Sequence, residues 1–202
     1  TVRPPEAPRD KPVVSAFIGG SVKKIVALEP DLVLGFSDIQ ADLARQLIAQ
    51  NLSVCIFNQR SIQQILDVVL DLGRLVDQKA RAEALCQGYI TRLEALSARA
   101  AQRRTRPRVY FEEWDEPMIS AIEWVSELIE VAGGRNVFAD RARGKLARER
   151  FVSVPDVVRA DPEVVLASWC GKAFERAAFE ARPGFDLGDF GAHPAALLRG
   201  RR

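Results

Sequence analysis

The chain has 202 residues, 48% of them apolar, which is enough for one large or two small domains with a substantial core. A net charge of +2 makes no general case for nucleic-acid or membrane-surface binding. Three cysteines without a CxxC pair, and a single histidine (His193), argue against a zinc site of the usual kind.

The opening residues, Thr1-Val2-Arg3-Pro4-Pro5, lack the apolar core of a secretory leader, and no apolar run approaches the roughly 18 residues that span a bilayer. Residues 13–76 alternate strand and helix. Leu32 to Phe36 is a continuous apolar run between Pro30 and Ser37, as expected of a strand covered on both faces. Ser37-Asp38-Ile39-Gln40 reads as a capping box opening a helix that runs to about Gln50. Val54-Cys55-Ile56-Phe57 is the next strand, with Cys55 a small buried hydrophobe, and Ser61-Ile62-Gln63-Gln64 caps a helix ending near Gly73. Residues 77–104 read as one long helix of roughly 40 Å, with Leu85, Tyr89, Leu93, Leu96 and Ala100 on its apolar side and Cys86 buried.

Beyond Pro107, Val109-Tyr110-Phe111 is a strand, and Ser120-Ala121-Ile122-Glu123 offers a third capping box. The helix it opens carries Trp124 as a core residue and stops at Gly133-Gly134; residues 135–150 are polar and expected to loop. The arginines at 99–108, at 141–150 and at the chain end read as solvated faces. After Arg182-Pro183-Gly184-Phe185 no strong helix or strand signal follows, and the tail from about Gly188 is expected to be disordered or cut short.

One pattern occurs twice. Lys24-Ile25-Val26-Ala27-Leu28-Glu29-Pro30-Asp31-Leu32-Val33-Leu34-Gly35-Phe36 returns loosely as Asp156-Val157-Val158-Arg159-Ala160-Asp161-Pro162-Glu163-Val164-Val165-Leu166-Ala167-Ser168. Each copy reads as a short helix, a proline-acid turn and a buried strand. Copies roughly 130 residues apart are too distant for a solenoid and suggest two similar α/β lobes with a cleft. Ligands of open parallel sheets lie beyond the carboxyl ends of the strands. That rule nominates Phe36, Ser37 and Asp38 with Asn58, Gln59 and Arg60 in one lobe. In the other it nominates Glu112, Glu113, Trp114 and Asp115 with Ser168, Trp169 and Cys170.

Flat apolar groups beside a few hydrogen-bonding ones suit a small-molecule cleft. Trp114 and Trp169 read equally well as core aromatics. Glu112-Glu113-Asp115-Glu116 fits an acid-base pair or a hard-cation site, but more simply a solvated loop. Cys170 has no nearby histidine, Gly19-Gly20 and Gly133-Gly134 form no nucleotide loop, and no catalytic residues are assigned.

The helix-strand run from Lys24 to Leu34 resembles that of the helical-backbone solute receptors, the substrate-binding proteins of ABC importers for cobalamin, haem and ferric siderophores. Lys11-Pro12-Val13-Val14, Ser61-Ile62-Gln63-Gln64-Ile65-Leu66 and Glu127-Leu128-Ile129-Glu130-Val131-Ala132-Gly133-Gly134-Arg135-Asn136-Val137-Phe138 are similar to further segments of that family. Phe111-Glu112-Glu113-Trp114, Ser168-Trp169-Cys170-Gly171-Lys172 and Arg182-Pro183-Gly184-Phe185 most resemble its cobalamin-binding branch.

The resemblance implies an α/β fold of two Rossmann-like lobes with parallel sheets, joined by one long backbone helix. The lobes would cover 1–76 and 105–202, with the connecting helix over 77–104, the opening strand missing and the second lobe incomplete. It implies a non-enzymatic, periplasmic or extracytoplasmic receptor, the absent leader keeping a cytoplasmic place open. Such a receptor captures a corrinoid, or alternatively a ferric siderophore or haem; the alternative from another class is a tetrapyrrole chelatase. No metal site and no covalent cofactor are implied, the ligand being itself a metal chelate, and no nucleic acid. The binding residues so implied are Phe36, Ser37, Asn58, Gln59, Glu112, Trp114, Ser168, Trp169 and Cys170. The importer permease is the implied protein partner, although Lys23 and Pro155 stand where the family carries docking glutamates, with Asp156 adjacent.

Overall fold

A computed structural model describes residues 11–15, 19–169, 173–184 and 196–199, the last four as backbone alone. The chain divides into two compact units, Thr1–Gln59 and Arg60–Arg202. Among the described residues no helix is long and apolar enough to cross a membrane.

The first unit holds α1 (Val22–Val26), β1 (Val33–Phe36), α2 (Ala41–Ile48) and β2 (Val54–Phe57). The Ser21 hydroxyl accepts from Lys24 N at 3.3 Å and opens α1. The two strands pair in parallel, Val33 opposite Val54 and Phe36 opposite Phe57. Leu47 is buried to 1% exposure, whereas Leu34 is 46% and Ile56 38% exposed. The expected cover on both faces of β1 is therefore not met. A ladder of two strands leaves part of its apolar surface open.

The capping box expected at Ser37 does not form either. Gln40 folds back to accept from Phe36 N at 2.8 Å, a 3-10 turn spans Asp38–Gln40, and no side-chain cap forms there. Ser37 itself has φ 67 and ψ 164, a region in which a side chain is strained.

In the second unit, α3 (Ile62–Leu75) begins with the expected capping box, Ser61 Oγ accepting from Gln64 N while the Gln64 side chain reaches back. The long helix is α4 (Lys79–Ala101). Its buried residues are Ala82 and Cys86; Leu85, Tyr89 and Leu96 on the expected apolar side are 46%, 39% and 44% exposed. Small residues decide this face. Gly73 of α3 leaves so little room that a methyl built on it would lie 2.3 Å from Ala82 Cβ. The Cys86 thiol donates to Leu66 O at 3.5 Å.

The sheet of this unit is built on β3 (Arg108–Asp115), in the order β4 (Met118–Ser120), β3, β6 (Val164–Ala167), β7 (Ala196–Arg199). β4 pairs antiparallel to β3, and β6 and β7 run parallel. β5 (Arg135–Asn136) pairs in parallel with the start of β3. Successive residues of β3 point to opposite faces. Val109 packs with Ala121, Ile122, Val125 and Ile129, the last two on α5 (Glu123–Val131), and Trp124 of that helix lies half-buried against the same cluster. Tyr110 packs on the other face with Val157, Val165 and Phe179. Both faces are thus covered, and each such fully buried side chain stabilises by about 1.5–3 kcal/mol.

Several expectations change here. Ser120 does not cap α5; it lies in β4 and donates its hydroxyl to Arg150 O at 3.0 Å. Residues 135–150 are not a simple loop but carry β5, α6 (Ala139–Ala142) and a 3-10 turn over Ala147–Arg150. The expected disorder from Gly188 falls largely outside the described residues, and within that tail β7 is a strand.

The repeat survives at the level of backbone geometry. α7 (Val154–Ala160) precedes β6 as α1 precedes β1, and Ser153 caps it as Ser21 caps α1. Glu29 and Asp161, each just before the proline, both take φ 47. A residue preceding proline is disfavoured in the right-handed helical region, so neither helix runs through its proline; α1 ends at Val26 and α7 at Ala160.

Candidate functional site

In the first unit, parallel pairing brings Phe36, Ser37, Asn58 and Gln59 together at the carboxyl ends of β1 and β2. Ser37 N donates to Phe57 O at 2.8 Å, continuing the ladder one residue past the strands. Ser37 is 1% exposed, and its hydroxyl donates to Asp38 Oδ1 at 2.5 Å. Phe36 is partly buried, Gln59 likewise, and Asn58 is exposed. Within the same unit lies a cavity of about 220 Å³, lined by Ile25, Leu43, Leu47, Val54 and Ile56 among others, with Ser15 and Gln40 its polar side chains.

In the second unit, Glu112 pairs with Ala167, and Ser168 N donates to Glu112 O at 3.0 Å. This places Glu112, Ser168 and Trp169 at one end of the β3–β6 pair. Glu112 is fully buried, on the same face as Tyr110 two residues earlier. Its carboxylate is the centre of a network. Tyr110 Oη donates to Oε2 at 2.9 Å and Trp169 Nε1 to Oε1 at 2.8 Å. Arg182 donates through Nη1 to Oε2 at 2.6 Å and through Nη2 to Oε1 at 2.9 Å, a bidentate pair. The Arg182 guanidinium carbon also lies 4.9 Å from the Phe179 ring centroid and 6.0 Å from that of Trp169. Phe174 meets Trp169 edge-on at 4.9 Å.

The electrostatics follow from this closure. Burial, then the Glu112 charge and hydrogen bond, push the Tyr110 hydroxyl well above the ordinary phenol value. Burial works against the Arg182 charge, but the Glu112 hydrogen bonds and charge outweigh it and raise its pKa.

The acidic run is therefore not a solvated loop. Glu113 Oε2 accepts from Arg150 Nη1 at 2.5 Å, and Arg150, only 4% exposed, also donates to Ser120 O at 2.7 Å. Nor does the run gather into a cation site: among the described residues no group of three or more His, Cys, Asp and Glu is placed to hold a metal. Trp114 follows an irregularity in the β3–β4 register and donates Nε1 to Glu116 O at 2.9 Å. Ser168 is exposed, whereas Trp169 is 5% exposed and belongs to the packed interior. Cys170 lies outside the described residues. Sequence reading missed Tyr110 and Arg182 as members of this group. The alternation of β3 could have flagged Tyr110, but no local signal pairs residues 112 and 182.

The sequence model of the periplasmic binding protein family matches residues 1–189. The chain is 28% identical over 167 residues to the vitamin B12-binding protein of Vibrio vulnificus (strain YJ016), a match covering 81% of this chain and 59% of that one. The chain thus spans somewhat over half the length of the relative it matches. Among solved structures it is similar to haem-complexed IsdE of S. aureus, with a TM-score of 0.78 and 18% identity over 98% of this chain and 79% of that one. It is also similar to the periplasmic vitamin B12-binding protein BtuF of Vibrio cholerae, with a TM-score of 0.68 and 20% identity over 97% and 75%.

Proposed function

Since the chain belongs to the periplasmic binding protein family, whose members are binding proteins rather than enzymes, we propose that it is an extracytoplasmic receptor that captures a corrinoid and delivers it to an ABC importer. The observation that carries the reading is the match over 81% of this chain to a protein named for vitamin B12. Residue chemistry at the strand ends supports it. Phe36 and Trp114 offer flat apolar surface, and Asn58, Gln59 and Ser168 offer the hydrogen-bonding groups that an amide-fringed macrocycle requires. Ser37, Glu112 and Trp169 contribute from beneath, because their own surfaces are closed.

A haem or ferric-siderophore ligand is the second reading, favoured by the likeness to haem-complexed IsdE. Direct coordination of iron by Tyr110 does not fit, since its hydroxyl is buried and donated to Glu112. Docking to a permease is proposed to proceed without the family's glutamate pair. Lys23 and Pro155 are both exposed, and Asp156 is occupied in capping α7 through Ser153 and in pairing with Arg141 and Arg159.

Titration with cyanocobalamin, haem and a ferric siderophore, followed by tryptophan emission, tests the ligand class. Saturable quenching by cyanocobalamin alone is expected. A folded chain that answers to haem or siderophore but to no corrinoid would overturn the main reading.

A further inference from the structure

We propose that Glu112 and Arg182 are positioning residues, a buried pair that fixes the chain leaving β6 so that Ser168 is presented to the ligand in one conformation. The proposal rests on the corrinoid-receptor reading for its ligand but not for its geometry. Glu112 grips the exit of β6 twice. Its backbone carbonyl takes the Ser168 amide at 3.0 Å and its carboxylate takes the Trp169 indole at 2.8 Å. Arg182 then ties the far side of the following segment to the same carboxylate, at 2.6 and 2.9 Å, while lying over Phe179 and Trp169.

The burial of this group makes it a lock rather than a contact. Glu112 is 0% exposed, so it offers a ligand nothing directly, and the Arg182 side chain is 15% exposed with its charge already answered. A surface ion pair contributes little because water competes for it. This pair is screened by little water, and its two parallel hydrogen bonds fix orientation as well as distance. The Ser168 position is thereby set before any ligand arrives, which removes an ordering cost from binding.

Two variants separate positioning from bulk stability. Glu112→Gln keeps an acceptor for the Trp169 indole but strands the guanidinium. Glu112→Gln with Arg182→Met removes both charges while retaining apolar volume over the Phe179 ring, so it stays folded where the single change fails. In the ligand-free full chain, amide hydrogen exchange at residues 168, 169 and 173–184 is expected to rise at least tenfold in the double variant, with Val109 to Phe111 unchanged. Cyanocobalamin affinity, measured where circular dichroism shows the variant folded, is expected to fall at least tenfold. Wild-type exchange rates at those amides would overturn the proposal, as would affinity within twofold of wild type when the wild-type chain binds. Failure of the wild-type chain to bind any corrinoid sinks the functional reading alone, and the exchange arm still decides the positioning role.

Discussion

Two glycines in neighbouring helices are expected to respond with opposite sign to the same methyl group. Gly73 of α3 would place a Cβ 2.3 Å from Ala82 Cβ and 3.2 Å from Gln78 O. Carbon atoms rest about 3.5–4.0 Å apart, so the helices must separate by roughly 1.2 Å, and neither methyl can rotate away because both are fixed to backbone. Overpacking of this kind costs about 1–3 kcal/mol, here toward the upper end, while the gain in helix propensity is about 1 kcal/mol. The net loss of roughly 1–2 kcal/mol corresponds to a fall in Tm of about 2–8 °C for a chain of this size. Gly88 of α4 has nothing within 4 Å of the same added atom. Gly88→Ala is therefore expected to stabilise by about 0.5–1 kcal/mol through propensity alone. Thermal denaturation followed by circular dichroism reads both. In Gly73→Ala with Ala82→Gly, a coupling of about 1 kcal/mol or more should appear in a double-mutant cycle. A Gly73→Ala chain that melts at or above wild type would refute the claim that α3 and α4 meet at this point.

Three further outcomes follow from local chemistry. Ser153 backbone and side-chain hydrogen bonds hold the Asp156 carboxyl below its usual range, so its contribution is present above the unfolded carboxylate pKa of about 3.9 and lost as pH falls through the lower folded value. Acid unfolding of Asp156→Asn should lack that step, and Ser153→Ala should lose about 1 kcal/mol in urea at neutral pH. The raised Tyr110 hydroxyl works in the other direction: its contribution is complete below the unfolded phenol pKa of about 10 and declines as pH climbs toward the folded value. Tyr110 ionisation, read at 295 nm by difference against Tyr110→Phe, should appear only with alkaline unfolding; an early signal would contradict its burial. Ser37→Gly should raise the urea midpoint by the equivalent of about 1 kcal/mol, because strain of about 1–3 kcal/mol is relieved against an entropy cost of about 0.5–1. A lowered midpoint would show that the Ser37 side chain outweighs the strain.

What could be read from the sequence was whatever is encoded over a few neighbouring residues. The strands at 33–36 and 54–57 stand out as apolar runs between turn residues, and Ser61 with Gln64 announces a helix start without ambiguity. The repeated proline-acid turn was legible because proline limits the residue before it, and both copies show the consequence in φ. Other features depend on distance in space. The buried side of α4 is narrowed by close approach of Gly73 to Ala82 and of Gly133 to Ala100. Helical spacing therefore picks the right side of the helix, but not that its small residues, rather than Leu85, Tyr89 and Leu96, are the ones enclosed. Ser37 shows how a local pattern can be overridden. Its Gln40 partner is drawn to Phe36 N instead, and the expected box never closes. At the candidate site the strand-end rule located Glu112 and Trp169 but not their roles, because the acid at 112 acquires its meaning from a cation 70 residues later.

That pair also constrains how the chain can change. Losing either charge first leaves the other stranded in apolar surroundings, at about 3–5 kcal/mol, a large fraction of the whole stability of a typical domain. Losing both charges together is nearly neutral for stability only where position 112 keeps an acceptor for the Tyr110 hydroxyl and the Trp169 indole, as glutamine does. Codons 112 and 182 therefore face a valley between two tolerable states, and variation is expected to cross it only by paired substitution or through a background stabilised beforehand. In a library of random variants of this chain, survivors altered at one of the two positions should carry a compensating change at the other.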